Sequence, residues 1–308
     1  MLDNLREALM IEFRDVTKRF QRAKKGSLAA VDNFTHRIDS RTIHVLLGSS
    51  GCGKTTLLRM VNRMESPTSG QILIDGEDVA DTDPVQLRRS IGYVMQASGL
   101  LPHRTVLDNV TTVLRLQGKS KNEARGRGME MLELVGLAPE LAQRYPGQLS
   151  GGQAQRVGVA RALAPNPNIV LMDEPFAAVD PVVRRQLQEL VLDLQEELET
   201  TILFVTHDVD EAIRMADEVV LLTQGAQIQQ HGTPAELLAN PANEFVEEFL
   251  GVRASRDLYL DDHNIIVDSA GRPLGSLSRN GEDAPAAAIN GQGTTAADGR
   301  NSGEGAGK

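Results

Sequence analysis

The chain has 308 residues, enough for one large domain or two small ones, and an apolar share of 41% that marks it as globular. Its formal charge of −10 argues against a general nucleic-acid binder, because phosphate contacts need clustered Lys and Arg. A single cysteine, Cys52, excludes an internal disulfide, and the six histidines show no metal-ligand spacing, so no zinc site is expected.

Residues 1–13 lack the basic-then-apolar layout of a signal peptide. No apolar run approaches the ~20 residues that span a bilayer, so any work at a membrane is expected from its surface. In chain order, Ile11, Phe13 and Val16 open a partly alternating extended segment, with residues 28–38 as its pairing partner. Residues 43–47 form a short apolar run that stops at Gly48, and a helix-compatible stretch follows over 54–64. Residues 71–74 and 91–95 read as further strands. From Gln96 to Ala164 the pattern turns helical. Thr105 and Asp108, and Ser120 and Glu123, have capping-box spacing. Ala124, Met131, Leu132 and Val135 form a stripe that Gly136 can stop. Val183, Leu187, Leu190, Val191, Leu194 and Leu198 mark an amphipathic helix. It is flanked by continuous apolar runs at 169–172 and 202–205, as expected of parallel strands buried on both faces. Residues 219–222 and 227–230 read as a hairpin, and Thr233, Pro234 and Glu236 start another helix. Order is expected to stop near Leu260, with residues 280–308 disordered on composition.

The stretch Gly48-Ser49-Ser50-Gly51-Cys52-Gly53-Lys54-Thr55, with Thr56 after it, follows the strand at 43–47 and opens the next helix. Glycines let successive backbone N–H groups converge on one anion, and the helix N-terminus adds its positive dipole end. Lys54 is placed to reach outer phosphates, the Thr55 hydroxyl to ligate Mg²⁺, and Thr56 to bind an inner phosphate. A glycine-rich turn with an incidental lysine is the plainer alternative. Cys52 reads as a small residue that fits the loop rather than a redox centre. Residues 169–172 deliver Asp173 and Glu174 to a strand end, where two adjacent carboxylates are costly unless they meet a cation or a proton. Asp173 would orient Mg²⁺, often through water, and Glu174 would act as general base on the attacking water.

From Ile11 to about Leu250 the chain resembles the ATP-binding-cassette (ABC) ATPases, on this phosphate loop, on Asp173-Glu174, and on Leu149-Ser150-Gly151-Gly152-Gln153, which matches the family signature. The resemblance implies an α/β fold: a P-loop NTPase core with a parallel sheet, an N-terminal antiparallel β subdomain and an inserted α-helical signature subdomain at about 97–164. It implies ATP and Mg²⁺, and two copies that sandwich two ATP molecules head to tail, so that Ser150, Gly151, Gly152 and Gln153 face ATP held by the other copy. Ser150 and Gln153 have capping-box spacing, so a helix is expected to start there. By the same resemblance Phe20 stacks on adenine, with a core phenylalanine as the alternative. Gln96 sits between Mg²⁺ and a transporter contact, Asp180 is the D-loop aspartate, and His207 contacts the γ-phosphate. Ala177, Val179 and Ala154 depart from the commoner Ser, Leu and Gln or Arg, and none removes a catalytic group.

A cassette without a membrane span implies separate transmembrane permease subunits, a substrate-binding protein reached through the assembled complex, and a peripheral place on the cytoplasmic face of a bacterial membrane. Leu100, Leu101, Pro102 and His103 resemble the surface that receives a permease helix. Residues 59–70, 156–161 and 174–181 look like the subgroup that imports osmoprotectants such as glycine betaine, choline and carnitine. The same machine serving another solute, such as an amino acid, and a soluble non-transport ABC ATPase are the alternatives. The resemblance places the ATPase domain at 1–253 and a short tail at 254–308, in which 265–278 looks like a fragment of a CBS regulatory module.

Overall fold

The computed structural model describes residues 10–20, 29–177, 179–252, 259–260, 265–267 and 273–276. By internal contacts the chain divides into a unit of residues 1–252 and a unit of residues 253–308.

The first unit contains two sheets. In the antiparallel sheet, β1 (Ile11–Lys18) pairs with β2 (Val31–Ile38) on one side and β4 (Ser69–Ile74) on the other, and the short β5 (Glu77–Asp78) closes the order β2-β1-β4-β5. The main sheet has the order β10-β9-β3-β8-β7-β6. Its members are β3 (Ile43–Gly48), β6 (Ile91–Val94), β7 (Ile169–Asp173), β8 (Thr201–Thr206), β9 (Glu218–Thr223) and β10 (Gln227–Gly232). All neighbours in it are parallel except the β9–β10 hairpin.

The reason for the apolar runs lies in the pleat. Successive side chains on a strand point to opposite faces, and both faces of this sheet are covered. Ile43, Val45 and Leu47 of β3 join Val170, Met172, Ile202, Phe204, Val219 and Leu221 in one core. Leu46 joins Ile169, Leu171, Leu203, Val205, Val220 and Leu222 in the other. The second core is closed by α1 (Lys54–Val61) and the antiparallel sheet, through Leu57, Leu58, Val61, Ile11, Phe13 and Phe34. The first is closed by helices, each burying its apolar stripe. After α2 (Pro84–Ser90) these are α3 (Val106–Val110), α4 (Thr112–Leu116), α5 (Lys121–Leu134), α6 (Gly151–Leu163), α7 (Pro181–Leu198) and α8 (Val209–Met215).

Local chemistry starts and stops these helices. Ser120 and Glu123 form a full capping box on α5, and Gly136, at φ +67°, ends it. The Thr105 hydroxyl accepts the Asp108 N–H at the start of α3, but the Asp108 carboxylate takes the Thr105 hydroxyl instead of closing a box. The helix expected over 54–64 ends at Val61. Thr233 and Glu236 cap α9 (Pro234–Ala239), and α10 (Glu244–Phe249) follows. No helix among the described residues is long and apolar enough to cross a membrane.

In the second unit, β11 (Tyr259–Leu260), β12 (Ile265–Val267) and β13 (Pro273–Ser276) form an antiparallel sheet in that order. The stretch 265–278, expected from sequence to resemble part of a CBS module, overlaps β12 and β13, which pair with Ile265 opposite Ser276. Residues 280–308 lie outside the described residues.

Candidate functional site

The carboxyl ends of four parallel strands converge on one edge of the main sheet, the usual ligand edge of an open α/β sheet. β3 ends at Gly48 and turns through the loop into α1; β7 ends at Asp173; β8 hands on to His207; β6 hands on to Gln96. Two glycines in the loop leave no room for a side chain. A Cβ at Gly48 would lie 2.4 Å from the Leu222 carbonyl oxygen, and one at Gly53, where φ is +119°, 2.4 Å from that of Ala30. Gly53 is also the N-cap of α1 and offers no side-chain oxygen, so the first-turn N–H groups are not capped.

Ser50, Gly51, Gly53, Lys54, Thr55 and Thr56 line an open cleft of about 170 Å³, together with Ala30 and Glu174. Lys54 is buried, and its Nζ donates to the carbonyls of Gly48 at 2.7 Å and Ser49 at 2.9 Å. Cys52 is buried beneath the loop, with Sγ 3.8 Å from Lys54 Nζ.

The Thr55 hydroxyl donates to Asp173 Oδ1 at 2.8 Å, and the Tyr93 hydroxyl donates to Oδ2 at 3.3 Å. Arg59 stands 3.8 Å from Oδ2. Burial, reinforced by the Asp173 carboxylate, pushes the Tyr93 phenol up to about 12, so it stays a proton donor. Sequence reading missed Tyr93 and Arg59. Arg59 carried a signal, since it lies four residues beyond Thr55 on the same helix face.

Glu174 adopts φ +43°, a left-handed conformation uncommon for a non-glycine residue, and its N–H is held by the Val205 carbonyl at 3.0 Å. Gln96 Nε2 donates to one of its carboxylate oxygens at 3.0 Å, and His207 Nδ1 lies 3.2 Å from the other. The residues that flank His207 are held in place. The Thr206 hydroxyl donates to Glu211 at 2.7 Å, and Arg184 of α7 stands 3.4 Å from Asp208 and 3.9 Å from Glu211. Burial raises the Glu211 carboxyl above its ordinary value, while the Thr206 hydrogen bond and Arg184 oppose that rise.

Other expected site residues lie apart from this cleft. Ser150 caps α6, taking the Gln153 N–H at 3.2 Å while Gln153 takes the Ser150 N–H at 3.0 Å. Neither residue lines the cleft, nor do Gly151 and Gly152. Asp180 caps α7 through the Val183 N–H. Phe20 is 44% exposed, with Lys18 Nζ 5.0 Å from its ring centroid, which sets aside the core alternative. From α6, Gln155 donates to the Met95 carbonyl, and Arg161 donates to those of Ser98 and Gly99 at 2.7 Å each. The segment that carries Gln96 is thereby tied to the helix that carries the signature.

Comparison with known proteins shows what the chain is similar to. The family model described as "ABC transporter" matches residues 31–177. The choline transport ATP-binding protein OpuBA of Bacillus subtilis is 49% identical over 242 residues, covering 79% of this chain and 62% of its own length. The osmoprotectant import ATP-binding protein OsmV of Salmonella typhimurium is 43% identical over 304 aligned residues, with 88% of this chain and 79% of OsmV covered. The glycine betaine uptake system ATP-binding protein YehX of Escherichia coli is 46% identical over 79% of this chain and 77% of its own. The chain thus spans about three fifths of the choline relative and most of the other two. Among solved structures, the dimeric post-hydrolysis state of the ATP-binding cassette MJ0796 bound to ADP and Pi superposes with a TM-score of 0.67 at 33% identity, covering 73% of this chain and 98% of that one.

Proposed function

Because the chain belongs to the family of ABC transporter ATP-binding subunits, we propose that it hydrolyses ATP to energise import of quaternary-amine osmoprotectants through separate transmembrane subunits. The observation that carries the engine is the meeting of Gln96 and His207 on Glu174, which itself lines the phosphate-loop cleft. The cargo rests on what the relatives are named for: choline, osmoprotectants and glycine betaine.

In this reading, the uncapped N-terminus of α1 and the loop N–H groups of residues 48–56 bind the phosphates, Lys54 neutralises the outer ones, and Phe20 stacks on adenine. The donor set suits a hard cation, since Thr55 and Asp173 bring oxygen atoms together at a buried carboxylate. Mg²⁺ would be held by Thr55 and Gln96, with Asp173 orienting its water, and would supply neutralisation of phosphate charge. Glu174 takes the proton from the attacking water as the new oxygen–phosphorus bond forms and the bond to the ADP oxygen breaks. His207, on the other carboxylate oxygen, steadies Glu174 and meets the γ-phosphate.

Ser150, Gly151, Gly152 and Gln153 then act on ATP held by a second copy, with Asp180 lining the same dimer face. Closure of the two copies excludes water and strengthens every interaction inside. The Arg161 and Gln155 ties carry that movement to Gln96 and to the permease surface at Leu100, Leu101, Pro102 and His103. The complex includes permease subunits and a substrate-binding protein, with this subunit peripheral on the cytoplasmic face.

The test is ATPase activity of the complex in liposomes, with glycine betaine, choline, carnitine and a panel of amino acids offered through the binding protein. Stimulation by quaternary amines alone is expected. Stimulation by an amino acid alone would keep the engine and overturn the cargo, and full function without any permease would overturn the transport reading.

A further inference from the structure

Far from the phosphate loop, at the amino ends of β3 and β9, three histidines from three strands gather around one glutamate. His36 lies on β2, His44 near the start of β3, and His231 on β10, while Glu218 opens β9. The His36 and His44 side chains are 8% and 2% exposed; those of Glu218 and His231 are 26% and 57% exposed. His36 Nε2 is 3.6 Å and His231 Nδ1 is 3.0 Å from the same oxygen, Glu218 Oε1. Buried polar atoms almost always have partners, yet His36 Nε2 and His44 Nδ1 have no hydrogen-bond partner.

The two orphaned nitrogens have different roles. His44 Nε2 accepts the Asp39 N–H at 3.2 Å, so the neutral ring carries its proton on Nδ1, the atom that faces Glu218 Oε2 at 4.0 Å. His44 is therefore placed to donate to the carboxylate rather than to ligate. His36 Nε2 has no such tie and points a nitrogen at the group. The ligand atoms of His36, Glu218 and His231 all lie within 4.8 Å of one another. Bonds of ~2.0–2.1 Å in a tetrahedron place ligand atoms ~3.3 Å apart, between the two shorter edges seen here.

We propose that His36 Nε2, His231 Nδ1 and the Glu218 carboxylate bind a divalent transition-metal ion of the zinc type, with His44 orienting the carboxylate and water filling the fourth position. Two imidazoles and one carboxylate favour zinc, cobalt or nickel over magnesium or calcium. A donor that hydrogen-bonds to a ligating carboxylate and fixes its orientation is a recurrent feature of such sites. The ion would clip β2 of the antiparallel sheet to the β9–β10 edge of the main sheet. His44 and Gly48 are four residues apart on one strand, so the site stands roughly 13 Å or more from the phosphate loop. It is a staple between sheets rather than part of hydrolysis.

The experiment titrates the untagged, nucleotide-free full chain with Zn²⁺ against a chelating dye, and with Co²⁺ followed by visible absorption. The expected result is one equivalent of Zn²⁺ per chain, four-coordinate Co²⁺ bands, and a melting temperature that rises with free Zn²⁺. His231→Ala, at a mostly exposed position, should fold normally and bind Zn²⁺ at least roughly tenfold more weakly, as should Glu218→Gln. His103→Ala should bind as the parent does. If His36→Gln fails to fold, His231→Ala decides alone. Wild-type affinity in His231→Ala, or no stoichiometric Zn²⁺ in the parent, would overturn the proposal.

Discussion

The proposed base, Glu174, works from a left-handed backbone that its side chain does not favour, and three contacts hold it there: Val205, Gln96 and His207. Strain kept at a reactive carboxylate fits preorganisation, because the group does not need to move when substrate arrives. Glu174→Gln keeps the shape and removes the basicity. Turnover should fall roughly 10²–10⁴-fold while nucleotide binding stays near normal, read by phosphate release and by equilibrium binding. Near-normal turnover would remove Glu174 from the role. Tyr93 makes a second residue-scale prediction. Its phenol titrates near 10.0 when unfolded and at about 12 in the fold. Between those values the folded chain keeps a proton that the unfolded chain has lost. Stability should therefore be intact below pH 10 and fall as pH rises toward 12. Tyr93→Phe should flatten that part of the urea-denaturation profile.

At the scale of elements, α5 and α6 begin with the same device. Ser120 with Glu123, and Ser150 with Gln153, form capping boxes whose serine oxygens each accept an N–H at 3.2 Å. Ser120→Ala and Ser150→Ala should thus cost similar stability, about 0.5–2 kcal/mol each, by chemical denaturation. Only Ser150→Ala should also lower ATPase activity, because its helix N-terminus is proposed to face the second copy's ATP. Equal activity in the two variants would argue that Ser150 is a cap and nothing more. The carboxyl-terminal half of α6 carries a further duty. Arg161 is buried enough that its guanidinium pKa is lowered, and its donors end on two carbonyls of the Gln96 loop.

For the whole molecule, the cleft lining is the telling fact. Phosphate-loop residues and Glu174 line the cleft and no residue of 149–153 does; in the proposed head-to-tail dimer the second copy supplies those residues. Lys54→Ala and Ser150→Arg should each abolish ATPase activity alone. Mixed together, they should recover activity that neither parent shows, since in a head-to-tail dimer one of the two sites is then intact. Failure to recover, with heterodimers demonstrated by mass spectrometry, would argue against a shared site.

Much of this was legible before any coordinates, and the reason is local. A strand, a glycine loop and a helix follow one another at 43–61, so their geometry is set by neighbours in sequence. The doubly buried strands at 169–173 and 201–206 were visible because burial on two faces demands an unbroken apolar run. The hairpin at 218–232 and the caps at Ser120, Ser150 and Thr233 were visible for the same short-range reason. The expectation of no zinc site came from spacing along the chain, a rule that sees only ligands close together in sequence. His36, Glu218 and His231 have no spacing that suggests a ligand set, because three strands from two sheets bring them together.

The sequence by itself determined the strands at 43–47, 169–172 and 202–205, the phosphate loop, the paired carboxylates and the signature helix start, since each is encoded within a few consecutive residues; the short helices at 84–90, 209–215 and 244–249 were not read from it. Only the tertiary structure decided which distant side chains meet. The main sheet runs β10-β9-β3-β8-β7-β6, an order unlike that of the chain, and so it sets Tyr93 and Arg59 on Asp173, Gln96 and His207 on Glu174, and Arg161 on the loop after β6. Strand order is settled by how two cores close on both faces of one sheet, a property of the packed whole that no local stretch contains.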